Sequence, residues 1–156
     1  WPPAQSALNV GTAFLEPDSS STATIPSTAG RVITVGAYDA LTFAYADFSG
    51  RGADGRYEGS GVPKPDLAAP GVRVQAPAAA GGYGAYTGTS FAAPFVTGSA
   101  ALLMEWGIVQ GNDPYLYGEK VKAYLRRGAR QLPGYESFPN PQIGYGILCL
   151  RDSLPS

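Results

Sequence analysis

The sequence predicts an α/β fold, a portion of a doubly wound, mostly parallel sheet with flanking helices. Three observations predict it. Arg31-Val32-Ile33-Thr34-Val35-Gly36-Ala37 is β-branched and almost continuously apolar, as a strand buried on both faces must be. Phe91 to Trp106 reads as one long helix, apolar nearly all round and therefore buried. Its Gly98, Ser99 and Ala100 are small enough for a strand to approach closely. The 21 Gly and 14 Pro residues imply many turns and few long helices, with short strands between them. At 156 residues the chain can hold one core, but only part of a large doubly wound sheet.

Residues 1 to 30 are rich in Pro, Ser, Thr and Ala, with a loop signal at Asp18-Ser19-Ser20-Ser21-Thr22. Ala7 to Val10 is a short candidate strand. After the strand at 31–37, Phe43 to Phe48 alternates as a second one, closed by Ser49-Gly50-Arg51-Gly52. Residues 50 to 64 read as a surface loop. Lys64 to Ala69 gives a short strand stopped by Pro70-Gly71. Val72 to Gln75 is another, and Ala78 to Gly84 a flexible turn. Gly107 is placed to end the long helix. Asp113-Pro114 signals the start of a second helix, with Val121, Tyr124 and Leu125 on its apolar face and Gly128 as its stop. Gly144 to Leu148 is a candidate edge strand. No internal repeat is visible.

Composition excludes several function classes. A net charge of −1 argues against nucleic acid or an anionic membrane as partner. No unbroken apolar run reaches 18 residues, so no transmembrane helix is expected. With no histidine, this chain supplies no imidazole base or ligand. A single cysteine, Cys149, rules out an internal disulfide and a Cys-rich zinc site, and its apolar surroundings mark it as a small buried hydrophobe. No metal and no cofactor are expected. The chain opens Trp1-Pro2-Pro3, and reads as a piece of a longer protein.

The stretch that carries chemistry is Thr87-Gly88-Thr89-Ser90-Phe91-Ala92-Ala93-Pro94. Ser90 sits where the apolar helix begins. A helix N-terminus offers unpaired N–H groups and a partial positive charge, and both favour an oxyanion forming beside a serine hydroxyl. Gly88 lets another backbone come close. Ser and Thr are equally ordinary helix caps, so this stretch alone leaves capping and nucleophile readings open.

Its neighbours decide between them. In order, the chain carries Val32-Ile33-Thr34-Val35-Gly36-Ala37, Phe48-Ser49-Gly50-Arg51-Gly52, Lys64-Pro65-Asp66-Leu67-Ala68-Ala69-Pro70-Gly71 and Gly88-Thr89-Ser90-Phe91-Ala92-Ala93-Pro94. The small-residue run Val96 to Leu103 follows. This series resembles the subtilisin-like serine proteases (subtilases) over residues 25 to 150. The resemblance implies the C-terminal portion of a subtilisin-like α/β catalytic domain at residues 16–156. Residues 1–15 would be a linker or the tail of an inserted module.

The resemblance also implies roles. Ser90 would be the nucleophile of a Ser-His-Asp triad, forming an acyl-enzyme with a peptide or protein substrate. The Ser90 N–H and the Thr89 hydroxyl would support the oxyanion. Gly88 would admit the substrate backbone. Phe91 would line the pocket for the residue after the scissile bond, and Thr24 and Pro26 one wall of the pocket before it. Phe91 stands where many subtilases have Met, and Phe95 where many have a non-catalytic His. The family's Asp, His and oxyanion Asn would lie upstream of Trp1, making the upstream part of the same protein a partner. This chain alone is then expected to be inactive, and to associate as an oligomer or swapped dimer. A pseudoprotease or scaffold fragment that binds a partner is the alternative.

Met104-Glu105-Trp106-Gly107-Ile108-Val109, Gly111-Asn112-Asp113-Pro114 and Tyr117 to Leu125 are similar to the clostridial Csp-type subtilases, as are Pro139-Asn140-Pro141 and Gly144-Tyr145-Gly146. Some of that group cut the proform of a cortex-lytic enzyme during spore germination and carry a jelly-roll insertion. Localisation is unknown from the residues, and the resemblance points to a secreted or spore-associated protein. Asp66 lies where some subtilases have a weak cation ligand, but one nameable oxygen falls short of the six a hard cation needs. It reads instead as a carboxylate capping a turn or accepting backbone N–H bonds. Lys120, Lys122, Arg126, Arg127 and Arg130 read as the solvated face of the second helix.

Overall fold

In a computed structural model, the structure describes residues 15, 16, 18–53 and 63–155. The expected strand at 7–10, nearly all of the 1–15 linker, and much of the 50–64 loop lie outside them.

Strand β1 (Val35–Asp39) is followed by β2 (Ala44–Tyr45), which folds back antiparallel on it, and by β3 (Leu67–Pro70), which runs parallel to it. The register places Val35 opposite Leu67 and Tyr38 opposite Pro70. Both central strands are buried along their length. Strand β1 lies later than the apolar run suggests, because Arg31 and Val32 are exposed. Beyond β3, Ile147 forms a parallel bridge with Ala68 and an antiparallel one with Arg130. The expected edge strand at 144–148 is thus reduced to a bridge, since Gly144 (φ 60°) and Gly146 (φ 132°) break the extended backbone.

A separate antiparallel hairpin joins β4 (Val74–Pro77) and β5 (Tyr83–Tyr86). The turn between them is shorter than the sequence suggests and closes on Gly81 and Gly82, both at positive φ. Gly84 and Ala85 are too small to display the alternation that marks β5.

Helix α1 (Thr89–Met104) continues as a π-helical turn, Glu105–Val109. Gly107 therefore lies inside the helical run rather than ending it. It is buried, and a Cβ there would stand 2.6 Å from Leu116 Cδ2. Helix α2 (Glu119–Arg127) starts later than Asp113-Pro114 indicates and stops at Gly128 as expected. Asp113 holds α2 from outside: its carboxylate accepts from Lys120 Nζ at 2.6 Å and from the Tyr124 hydroxyl at 3.2 Å. Helix α3 (Leu150–Ser153) is a single turn.

The sheet has a core on each side. Ala37, Leu67 and Ala69 pack with Ala92, Val96, Leu103, Leu116, Val121 and Leu125. Tyr38 and Ala68 face the other way, with Leu132, Ile143 and Ile147. That division is the period-two alternation of strands covered on both faces.

Helix α1 is buried on one face only, through Ala92, Val96, Ser99 and Leu103. Phe95, Leu102 and Val109 on its other sides are exposed. This corrects the expectation of burial all round: the sheet lies against one side of the helix. Thr89–Val109 is long and apolar enough, by length and composition, to cross a membrane. Its docking on β1 and β3 accounts for the buried part of that composition. Cys149 is half-buried rather than buried.

Candidate active site

Parallel strands of an open α/β sheet present ligands at their carboxyl ends. Here those ends are Asp39 of β1 and Gly71, just after β3. The Gly71 N–H donates to the Tyr38 carbonyl at 3.0 Å, and the Gly71 carbonyl accepts from the Gly88 N–H at 2.8 Å. A Cβ at Gly71 would meet Ala37 Cβ at 2.6 Å and the Gly88 oxygen at 3.1 Å. Only glycine fits that junction. Gly88 caps α1 at φ 154°, ψ 158°, a conformation that glycine adopts freely.

Ser90 follows in the first turn of α1, where it is exposed. That turn holds no acidic residue and no side-chain cap. The Phe91 N–H donates back to the Gly88 carbonyl at 3.0 Å, which leaves the Ser90 N–H and the partial positive charge for an external acceptor. Thr89 and Gly88 are half-buried. Phe91 is half-buried too, with its ring stacked on Tyr86 at 5.2 Å and 17° between planes. The structure thus gathers Gly88, Thr89, Ser90 and Phe91 into one turn. Thr24 and Pro26 belong to a separate, exposed turn, where their carbonyls accept from the Ser27 and Ala29 N–H groups at 2.8 and 3.0 Å.

The sequence did not reveal Tyr86 or the polar contacts beside this turn. The Thr87 hydroxyl accepts the Arg73 N–H at 3.0 Å. Arg73 Nη2 reaches Asp39 Oδ2 at 2.8 Å, and Asp39 Oδ1 accepts the Leu41 N–H at 2.9 Å. The Leu41 N–H, and after it Arg73, hold the Asp39 carboxyl below its ordinary range. The signal available was Thr87 three residues before the serine, and a lone arginine between Val72 and Val74.

At the other end of β3 the basic residues of α2 depart from expectation. Lys122 is buried and Arg126 half-buried, so they are not a solvated face. Both reach Asp66, which is fully buried: Lys122 Nζ stands 3.2 Å from Oδ1, and Arg126 Nη2 donates to the same oxygen. Lys64 Nζ and the Thr34 N–H reach Oδ2 at 2.9 and 2.6 Å. Asp66 thus does accept a backbone N–H, and three cations besides. Burial pushes its carboxyl up, but Thr34, Lys64 and Arg126 more than offset that and hold it below its ordinary value. Three cations around one carboxylate make a place that repels a metal ion. Among the described residues no group of three or more His, Cys, Asp or Glu could hold one. Spacing gave one sign, but not the partner. Lys122 and Arg126 are i, i+4 neighbours, a repulsive pair on an open helix unless a carboxylate sits between them.

Comparison with known proteins agrees with this architecture. The Subtilase family matches residues 6–146. Subtilisin amylosacchariticus of Bacillus subtilis subsp. amylosacchariticus is 40% identical over 86 residues, 55% of this chain and 20% of that protein. Subtilisin of Bacillus pumilus is 38% identical over 91 residues, 57% of this chain and 29% of that protein. Among solved structures, the Clostridium perfringens CspB protease superposes with a TM-score of 0.86 at 44% identity. That match covers 94% of this chain and 30% of the other, in line with the Csp-type resemblance. The prenylagaramide maturation protease PagA gives 0.67 at 28% identity, over 87% of this chain and 46% of that one. The chain therefore spans a fifth to under a half of the lengths of these proteins. With the family matched across 6–146 and the subtilisin-like α/β fold shared with these proteases, the chain belongs to the subtilase family.

Proposed function

We propose that this chain carries the nucleophile of a serine endopeptidase, Ser90, and that the intact protein hydrolyses peptide bonds through an acyl-enzyme on it. The observation that carries the reading is an exposed serine in the first turn of α1, at a helix N-terminus left without acid or cap, in a chain of the subtilase family. In this reading the Ser90 N–H and the Thr89 hydroxyl bind the oxyanion. Gly88 admits the substrate backbone. Phe91, braced by Tyr86, borders the leaving-group side, and Thr24 and Pro26 form a wall on the acyl side. The activating base comes from the rest of the same protein, because this chain has no histidine. Residues 16–156 are then the C-terminal part of the catalytic domain, and the remainder of that domain covers the exposed face of α1.

The test is a fluorophosphonate probe on the intact protein, with the adduct located by peptide mass spectrometry. We expect the adduct on Ser90, and none in Ser90→Ala. The 156 residues alone should neither label nor turn over peptide, and should associate through the open α1 face. Folded intact protein without an adduct would instead favour a non-catalytic, partner-binding role.

A further inference from the structure

We infer that Arg73, anchored by Asp39, is a positioning residue that holds the Ser90-bearing turn in place through the Thr87 hydroxyl. The inference rests on the Ser90 reading and deepens it. Two separate grips hold the turn 87–90. The inner one is the backbone bond from Gly88 to Gly71 at 2.8 Å, which depends on no side chain. The outer one needs side chains at both ends: Asp39 Oδ2 accepts from Arg73 Nη2 at 2.8 Å, and the Arg73 backbone N–H donates to Thr87 Oγ1 at 3.0 Å.

Three features mark the outer grip as more than a surface contact. Arg73 sits at φ 53°, a left-handed conformation that a side chain adopts only where its surroundings hold it. Both carboxylate oxygens of Asp39 are engaged, one by Arg73 and the other by the Leu41 N–H. The ends it joins are the carboxyl end of β1 and the residue three before Ser90. A turn held by Gly88 alone has one pivot, and Gly88 is itself the most permissive residue in it. A second hold at Thr87, on the other side of the pivot, removes that freedom. A nucleophile needs such restraint, because small misplacements cost rate steeply.

The experiment measures fluorophosphonate labelling of the intact protein under saturating and limiting probe, so that the maximal rate and the half-saturating concentration are read separately. Thr87→Val keeps the side-chain shape and removes the acceptor, whereas Thr87→Ser keeps the acceptor. We expect Thr87→Val to label about five- to tenfold more slowly at saturation, the rate equivalent of one hydrogen bond, with the half-saturating concentration unchanged. Thr87→Ser should label within about twofold of the parent, since it retains that bond. Asp39→Asn should slow labelling, and should flatten the salt dependence that screening of the ion pair gives the parent. Parent and Thr87→Val labelling Ser90 equally fast would overturn this inference alone. Thr87→Ser as slow as Thr87→Val would overturn it too, because the acceptor would then be irrelevant. A parent protein with no Ser90 adduct would bring down the Ser90 reading and this inference with it.

Discussion

The two ends of β3 are built on opposite plans. At its start, Asp66 is fully buried and ringed by Lys64, Lys122 and Arg126. At its end, Gly71 and Gly88 meet through bare backbone, and Ser90 stands open to solvent without a charged side chain in its helix turn. The first end spends charge on fixing segments to one another: residues 30–34, β3 and α2 all converge on one carboxylate. The second leaves hydrogen-bonding capacity unspent, as the proposed oxyanion site would require. Four residues of strand separate anchor from site, so the anchor can set where the site stands without sharing its field.

Removing the anchor should have the largest effect. Asp66→Ala leaves three cations facing one another in a buried place, and should destabilise by about 3–5 kcal/mol, the cost of breaking a buried pair from one side. Thermal unfolding of the intact protein reads it. The same carboxylate gives a pH signature. Its folded value lies below the ordinary 3.8, so its contribution is complete above about pH 5 and is lost as the pH falls through 4 towards the folded value. Asp66→Asn should show a shallower acid slope than the parent. Lys64 gives a slope of the same sign at the alkaline end. Burial, only partly offset by Asp66, holds its ammonium below the ordinary 10.5, so the folded state sheds that proton first and gains stability as the pH rises towards 10.5.

Gly71→Ala probes the other end. The added methyl would press on Ala37 Cβ and on the Gly88 oxygen, and overpacking of that kind costs about 1–3 kcal/mol. It should also slow probe labelling of Ser90, because a Gly71 pushed away from Ala37 shifts the carbonyl that holds the Gly88 N–H. An equal loss of stability with labelling unchanged would show that the turn does not depend on β3.

These contrasts mark what was legible in the sequence. The serine turn was, because its pieces are contiguous and each small residue has a backbone reason to be there. The two strands were too, since Val35 to Ala37 and Leu67 to Ala69 are apolar without a break, but not their pairing with each other. The charge cluster was not. Lys122 and Arg126 have the composition of a wet helix face, and only their distant partner, 56 residues from Lys122, takes them inside. The one-sided burial of α1 was missed for a related reason: an apolar residue in the sequence does not say which neighbour covers it. Tyr86 was missed because the centre of β5 is Gly84-Ala85, and small residues carry little pattern.

Lys64→Met sharpens the contrast within the cluster itself. Without Lys64, Asp66 still receives Thr34, Lys122 and Arg126. The Val32 carbonyl, which accepts from Lys64 at 2.8 Å, still accepts from Lys122 at 3.0 Å. No buried polar group loses its last partner, and the excess of positive charge falls by one. The change should therefore be within about 1 kcal/mol of neutral, since an apolar replacement of similar volume often matches a buried ion. A loss as large as that of Asp66→Ala would mean that the third cation is needed, not surplus.

The smallest effect belongs to the same chemistry moved to the surface. Lys120 and Asp113 approach to 2.6 Å, closer than Lys64 and Asp66, yet Lys120 is 46% exposed and Lys64 only 7%. Water already solvates the Lys120 ammonium, and salt screens the pair. Lys120→Ala should cost less than about 1 kcal/mol, and less still in high salt. Asp113→Ala should cost more than Lys120→Ala, because it also releases the Tyr124 hydroxyl that ties α2 to the turn before it. A double-mutant cycle separates the two contributions. If the Lys120–Asp113 coupling equalled that of the buried cluster, distance and not burial would govern these pairs, and the contrast between the ends of β3 would lose its physical basis.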